Sequence, residues 1–188
     1  MSIAPTPAVK IIDTDTLPAP CREQRDESGR RIAVTFESRT VQPIAPSNDC
    51  WLVALDGSKH SMHALATAMS LASESGMHTL DLAHVQPWLS TEAAETEFPQ
   101  RGWATAADAR AMLNGRGFGW RLHVLMGEPA ARIVELADAL GSRGIVIGAR
   151  GLSAIESLLL GSVAQRVIHT ALGAVLVVRG PATSEEMG

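Results

Sequence analysis

A chain of 188 residues, 46% of them hydrophobic, is long enough for one domain with a substantial core and an appendage. The formal net charge is −4 and the basic residues do not cluster, which argues against a nucleic-acid surface, and no apolar run approaches the ~20 residues that span a membrane. The N-terminus lacks a signal-peptide pattern and the two cysteines, Cys21 and Cys50, form no CxxC pair, so we expect a cytoplasmic protein without a disulfide.

Residues 1–48 differ in composition from the rest of the chain. They hold six of the ten prolines, and their six basic residues balance six acidic ones. Ile32, Val34 and Phe36 alternate with smaller or polar neighbours, as in a short strand. The composition favours a flexible N-terminal extension, and the alternative is that its 31–42 segment docks on the domain or on a partner.

Residues 49–180 alternate short apolar runs with segments whose apolar residues recur at helical spacing, and 181–188 form a C-terminal tail. Continuous apolar runs are typical of parallel strands that are covered on both faces. The pattern predicts a single open five-stranded parallel sheet with helices on both faces, a Rossmann-like α/β fold. The predicted strands are 51–55, 79–85, 121–126, 145–147 and 174–178; the helices begin at Ser58, Ala104, Pro129 and Ser162, with a polar loop over 87–101.

Four residues that follow predicted strands are expected on one rim of this sheet. They are Asp56, Val85, Gly127 and Gly148. Ligands of such sheets bind beyond the carboxyl ends of the strands. Asp56 is a candidate acceptor for ribose hydroxyls, and the alternative that it only stabilises its own turn stays open.

The most specific motif follows the fourth strand. Gly148 and Gly151 lie three residues apart where the chain leaves the strand, and after nine more residues Gly161 and Ser162 begin a helix. A helix N-terminus preceded by glycine offers unpaired N–H groups and the positive end of the helix dipole. The pattern therefore predicts a nucleotide phosphate chain bound by backbone amides.

This glycine pattern resembles the nucleotide motif of the ATP-binding branch of the universal stress protein family. Four further segments resemble that family in the same order: 51–58, 84–85, 127–130 and 174–179. The resemblance covers roughly residues 49–180. The chain departs from the family at Gly144, where an Asp is usual, and at Ala174, where a Pro is usual. The resemblance implies the fold of the adenine nucleotide alpha hydrolase group.

The resemblance also implies a role for each residue of the predicted nucleotide site. The backbone at Val85 holds the adenine edge, and Gly148 lies beside the ribose. Arg150 either neutralises a phosphate or projects into solvent, and the sequence favours neither. The expected phosphate contacts are Gly151, Gly161, Ser162 and Val163; Ala54, Asp56 and Gly127 complete the site.

The predicted site contains no general base, nucleophile or phosphate-activating lysine, so no catalytic residue is assigned. We expect ATP, accompanied by Mg or Mn, in a nucleotide-dependent stress-response or regulatory protein with little or no hydrolysis. The alternatives are an adenine-nucleotide hydrolase and an interaction module that has lost its nucleotide. His60 and His63 share a helix face without a third ligand, so no protein metal site is predicted.

The last predicted strand is apolar and is expected at a sheet edge, where its unpaired N–H and C=O groups invite a second chain. Family members pair their last strands across a two-fold axis, which implies a homodimer here. The alternative is that Ile32–Phe36 covers an edge and keeps the protein monomeric. The residues of the expected interface are Val175, Leu176, Val177 and Val178.

Overall fold

The computed structural model describes residues 17–39, 44–150 and 160–180. They form one seven-stranded sheet with β1 (Arg22–Arg25), β2 (Arg31–Glu37), β3 (Trp51–Ala54), β4 (Thr79–Gln86), β5 (Gly119–Met126), β6 (Gly144–Gly148) and β7 (Ala174–Val178). The order across the sheet is β1-β2-β5-β4-β3-β6-β7, parallel from β5 to β7 and antiparallel at β1 and β2. The predicted class is confirmed, whereas the predicted number of five strands is wrong because the N-terminal segment adds two.

Helices cover both faces of the sheet. They are α1 (Lys59–Glu74), α2 (Thr91–Thr96), α3 (Phe98–Thr105), α4 (Ala107–Gly115), α5 (Pro129–Leu140) and α6 (Ser162–Thr170), with a 3-10 turn at Ser47–Asp49. Side chains alternate between the faces of a strand, so Val53 and Leu55 join a core with α1 to α4, whereas Leu52 and Ala54 join one with α5 and α6. No helix in the described ranges is long and apolar enough to cross a membrane.

The β1–β2 hairpin docks along β5. Val34 and Phe36 are buried and lie opposite Val124 and Leu122, and the Phe36 ring meets the Trp103 ring edge-on at a centroid distance of 5.1 Å. Burying such side chains stabilises the fold by roughly 1.5–3 kcal/mol each. The expectation of a flexible extension therefore does not hold for β1 and β2, and the docked alternative describes them.

A buried polar cluster anchors the extension on the other face of the sheet. Asp81 is fully buried and accepts hydrogen bonds from Arg121 Nε at 2.6 Å and from His123 Nε2 at 3.1 Å. Arg121 also donates to the carbonyl of Ala45 at 2.8 Å, and His123 Nδ1 lies 3.1 Å from the hydroxyl of Thr35. Thr35 and Ala45 belong to the extension, so Asp81 holds the extension to the sheet through the side chains of Arg121 and His123.

The segment 87–101 is mostly helical, so its prediction as a polar loop is wrong. Ser90 caps α2 by accepting a hydrogen bond from the N–H of Ala93, and Pro99 occupies the first turn of α3. The buried Phe98 and Trp103 fix α3 against the sheet. The helix predicted from Ala104 is also divided, because α3 ends at Thr105, α4 begins at Ala107, and Ala106 between them caps both.

The two departures from the family pattern are neighbours in the sheet. Gly144 of β6 is in register with Ala174 of β7. A Cβ at Gly144 would lie 2.7 Å from the Ala174 carbonyl oxygen and 2.7 Å from Cζ3 of Trp51. Trp51 therefore leaves no space for a side chain at position 144.

Candidate functional site

The direction in which the chain crosses the sheet reverses between β3 and β6. β4 and β5 lie on one side of β3, whereas β6 and β7 lie on the other. A crevice forms at such a point beyond the carboxyl ends of the strands, and doubly wound sheets bind ligands there. The predicted residues Ala54, Val85 and Gly148 lie at the carboxyl ends of β3, β4 and β6, on this rim.

Asp56 stabilises the turn from β3 into α1. Its Oδ1 accepts a hydrogen bond from the N–H of Ser58 at 3.0 Å, and the Ser58 side chain caps α1 by accepting from Ser61 N at 3.1 Å. Gly57 between them has φ +80°, a conformation that glycine adopts without strain. The turn role that the sequence left open is therefore present, and contact with a ribose stays a prediction.

The backbone of Val85 faces the rim beyond the end of β3. The carbonyl of Ala83 accepts from Leu55 N at 2.8 Å, so it points toward β3. Backbone groups alternate between the two sides of a strand, so the N–H and C=O of Val85 point the same way. The β3–β4 ladder ends at the pair of Ala54 and Ala83, and among the described residues no backbone hydrogen bond joins Val85 to β3. Val85 thus presents one donor and one acceptor side by side.

His84 fixes the strand end next to Val85. Its Nδ1 lies 3.0 Å from the carbonyl oxygen of Leu55, and because a carbonyl only accepts, Nδ1 carries the proton and donates. Burial lowers the pKa of His84, against the raising effect of this hydrogen bond. The ring therefore joins β4 to the end of β3 as a neutral donor.

Two of the predicted glycines have packing reasons that do not involve a ligand. Gly127 has φ +138°, and a Cβ there would lie 3.0 Å from Cγ of Arg132. A Cβ at Gly148 would lie 2.7 Å from the carbonyl carbon of His60 in the first turn of α1. Both positions therefore exclude side chains, and Gly148 brings α1 close to the end of β6.

Two hydrogen bonds hold the start and the end of the glycine loop together. Ala149 N donates to the carbonyl of Val178 at 2.7 Å, and the Ala149 carbonyl accepts from Gly161 N at 2.8 Å. The start of α6 is thereby fixed beside the ends of β6 and β7. Arg150 follows as a half-buried residue, whereas Gly151 lies outside the described residues, so its role stays a prediction.

The cap residue of α6 is a glycine. Gly161 occupies the cap position with φ −61° and ψ 147°, and as a glycine it has no side chain that could accept a hydrogen bond from the first turn. The first N–H groups of a helix have no partners within the helix. Ser162 and Val163 begin this turn, so the predicted phosphate contacts coincide with exposed helix donors and the positive end of the dipole.

A cavity of about 390 Å³ lies against α6. Two predicted residues, Ser162 and Val163, line it together with four residues that the sequence analysis did not identify. These four are Glu128, Gln165, Arg166 and His169. Arg166 lies one helical turn after Ser162, so the i, i+4 spacing from the glycine-serine pair was the signal that would have found it.

Glu128 and Arg166 form an exposed ion pair across this cavity. Arg166 Nη1 lies 3.1 Å from Glu128 Oε1, and the side chains are 62% and 45% exposed. Glu128 also caps α5 by accepting from Ala131 N at 2.8 Å and from Ala130 N at 3.4 Å. These backbone hydrogen bonds, foremost that of Ala131, and the Arg166 charge hold the pKa of Glu128 below its usual value. An exposed ion pair contributes only ~0–1 kcal/mol to stability. Arg166 can therefore exchange Glu128 for a bound anion with little loss of stability.

The parallel sheet with helices on both faces is that of an α/β protein, and the ends of its strands and the start of α6 form a candidate ligand site. The family model of the universal stress protein family matches residues 51–179, well over half of the chain. The chain therefore belongs to the universal stress protein family.

Individual proteins agree with this assignment. Universal stress protein MJ0531 of Methanocaldococcus jannaschii is 31% identical over 138 residues, which are 69% of this chain and 81% of that protein. The solved structure of protein MJ0577 superposes with a TM-score of 0.64 over 73% of this chain and 99% of its own, and its 22% identity shows the fold alone. A universal stress protein solved in complex with cAMP is 28% identical, with a TM-score of 0.58 over 69% of this chain and 96% of its own.

Proposed function

We propose that this chain is an ATP-binding universal stress protein that acts through the occupancy of its nucleotide site and hydrolyses ATP slowly or not at all. The observation that carries the proposal is the N-terminus of α6, which begins at a glycine cap, is fixed beside the ends of β6 and β7, and opens on a cavity. Its N–H groups and its dipole favour a phosphate. The solved relative with cAMP supports an adenine nucleotide as the ligand class.

At the phosphate end of the site, the backbone donors and one cation act together. Gly161, Ser162 and Val163 supply the first turn of α6, and Arg166 supplies a positive charge one turn further along. Among the described residues, no group of three or more His, Cys, Asp or Glu side chains is arranged to hold a metal ion. We therefore expect Mg or Mn to bind through the phosphate oxygens rather than through a protein cage.

At the base end, the donor and acceptor of Val85 suit adenine better than guanine. Adenine presents an acceptor, N7, next to a donor, its N6 amino group, whereas guanine presents two acceptors, N7 and O6, on the same edge. The N–H and C=O of one residue complement the adenine pattern, and guanine O6 would face the Val85 carbonyl. Asp56 and Gly148 lie between Val85 and α6, where the ribose is expected.

The chemistry of the cavity favours slow hydrolysis. Glu128 is the carboxylate that lines the cavity among the described residues, and its lowered pKa makes it a weak base. An effective general base needs a pKa near the working pH. Glu128 also already accepts hydrogen bonds from α5 and pairs with Arg166, so it is held for a structural role.

The same proposal includes a homodimer formed through β7. This strand is an edge of the sheet, and Val175, Leu176, Val177 and Val178 are only partly buried. Two exposed apolar side chains lie next to it, Ile168 of α6 at 43% exposure and Leu172 at 91%. An apolar edge with open backbone groups favours pairing with a second copy.

The opposite edge of the sheet has the features of an edge that avoids pairing. All four residues of β1 are exposed, and three of them, Arg22, Glu23 and Arg25, are charged. Charged side chains on a short edge strand discourage association. The extension thus covers the β5 edge, as the monomeric alternative supposed of an edge, while no described strand covers β7. The proposal of a homodimer rests on this second edge.

Calorimetric titration with ATP and with GTP tests the proposed function. ATP is expected to bind more tightly than GTP, and chelation of divalent cations is expected to weaken it. Phosphate and AMP release are measured in the same samples, and both are expected to stay near background over many protein equivalents of ATP. Equal binding of GTP, or no binding of either nucleotide, would reject the proposal, and rapid release of AMP would favour the hydrolase.

A further inference from the structure

The β1–β2 hairpin brings its turn to the rim of the nucleotide site. β2 runs antiparallel to β5 and starts where β5 ends, with Ala33 opposite Leu125, so the turn before β2 lies at the carboxyl end of the sheet. The turn is held by Asp26, which accepts from Arg30 Nε at 2.9 Å and from Arg30 Nη2 at 2.8 Å. The extension therefore places Arg30 beside the site in a fixed position.

Arg30 lies over the indole ring of Trp88. Its guanidinium carbon is 4.9 Å from the ring centroid, and its Nη1 donates to the Leu89 carbonyl at 3.3 Å. A guanidinium within ~6 Å of an indole centroid is attracted to the ring face. Arg30 thus fixes the orientation of Trp88 from one side, while 59% of the tryptophan surface remains exposed.

Trp88 lies on the same rim as Val85 and Gly127, two residues of the predicted site. It follows Val85 by three residues, and its Cζ2 is 3.7 Å from the position that a Cβ on Gly127 would occupy. Of the three large apolar side chains that are exposed in the described part of the chain, the other two, Ile168 and Leu172, lie next to β7. Trp88 is therefore an accessible aromatic surface on the nucleotide rim, away from the expected dimer edge.

We propose that Trp88, oriented by Arg30 of the hairpin, is the surface on which the purine ring of the nucleotide stacks, and that it determines specificity for purine over pyrimidine nucleotides. The inference rests on the proposed nucleotide site. It adds a contact from the N-terminal extension, which the family pattern does not contain. Stacking on an aromatic ring tolerates different bases, but its strength increases with the area of the base. Trp88 would therefore select purines over pyrimidines, whereas Val85 would select adenine over guanine.

Equilibrium dialysis tests the inference with wild type, Trp88→Ala, Trp88→Phe and Arg30→Ala. The probes are ATP, CTP and inorganic tripolyphosphate, which has the phosphates but no base. Trp88→Ala is expected to raise the Kd for ATP by about tenfold or more, to reduce the preference for ATP over CTP, and to leave tripolyphosphate binding unchanged. Trp88→Phe retains a ring and is expected to restore most of the affinity.

Arg30→Ala isolates the contribution of the hairpin. Loss of an exposed cation–π contact is expected to raise the Kd for ATP by roughly two- to fivefold. Arg22→Ala is the matched control, because it removes an exposed arginine from the same hairpin far from the turn. Its Kd is expected to match that of the wild type.

The outcomes separate the inference from the function on which it rests. If wild type binds ATP and Trp88→Ala binds it equally well, the stacking role is rejected while the nucleotide site stands. If Trp88→Ala loses affinity for ATP and for tripolyphosphate to the same extent, Trp88 has a structural role and the inference is again rejected. If wild type binds no nucleotide, the proposed function fails and the inference fails with it.

Discussion

Replacing Asp81 by Asn removes a buried negative charge and leaves its cationic partner in place. Asp81 is fully buried, and the side chain of its partner Arg121 is only 14% exposed. Breaking a buried ion pair by removing one partner costs about 3–5 kcal/mol, because the other charge stays buried without compensation. Domain stabilities are ~5–15 kcal/mol, so Asp81→Asn is expected to remove a large share of the free energy of unfolding.

Urea unfolding of Asp81→Asn, followed by circular dichroism, measures this loss. The matched control is the double variant Asp81→Leu with Arg121→Met, which replaces the pair by apolar side chains and is expected to lie within about 1–2 kcal/mol of the wild type. Hydrogen exchange should show β2 losing protection first in Asp81→Asn, because Arg121 and His123 connect Asp81 to Ala45 and Thr35. A destabilisation below 1 kcal/mol would refute the reasoning.

Three further predictions concern pH, phosphate recognition and assembly. Burial raises the pKa of Asp81, but the hydrogen bonds from His123 and Arg121 outweigh burial and hold the pKa below the ordinary 3.8. The stabilising contribution of Asp81 is therefore present above that value and is lost as the pH falls through the lower pKa of the folded state. Urea unfolding at several pH values should show the difference in unfolding free energy between wild type and Asp81→Asn closing over that range. Arg166→Ala should weaken the binding of ATP more than the binding of AMP in calorimetry, while changing the unfolding free energy by less than about 1 kcal/mol. Equal weakening of the binding of both nucleotides would contradict a role of Arg166 at the outer phosphates. Light scattering should report about twice the chain mass of 19.9 kDa for the wild type and a shift toward monomer for Val177→Lys, and a monomeric wild type would refute pairing through β7.

The parallel part of the fold was predictable because its signals are local. Each buried strand is a short apolar run bounded by turn residues, and the run at β7 was predicted with its observed bounds. The start of α6 was predicted from Gly161 and Ser162 alone, since a glycine before a helix is itself a sequence feature. These signals do not depend on residues that are distant in the chain.

The hairpin and the polar cluster were not predictable because they depend on distant partners. Alternation at Ile32–Phe36 indicates a strand but does not say which strand it pairs with, and β5 lies more than 80 residues further along. Asp81 reads as one acidic residue within an apolar run, and its partner Arg121 is 40 residues away. The segment 87–101 was misread because its apolar residues are few, although Phe98 is fully buried.

Part of the candidate site was also beyond sequence reasoning. Gly127 and Gly148 were chosen for ligand contact, but each also has a packing reason that appears only in three dimensions, against Arg132 and His60. Arg166 could have been found from its i, i+4 spacing to Ser162, whereas Glu128 lies at the start of α5 and meets Arg166 only in three dimensions. The glycine pattern predicted where α6 begins, whereas the residues around that helix start could be identified only from the structure.

The central claim is that the start of α6 binds the phosphates of ATP, and equilibrium dialysis of ATP with Gly161→Val tests it most directly. The φ of −61° at Gly161 suits any L-residue, so the variant is expected to fold, which its thermal unfolding checks. We predict that wild type binds ATP and that Gly161→Val, whose side chain blocks close approach to the N–H groups, does not. A folded Gly161→Val that binds ATP with the affinity of the wild type would contradict the account.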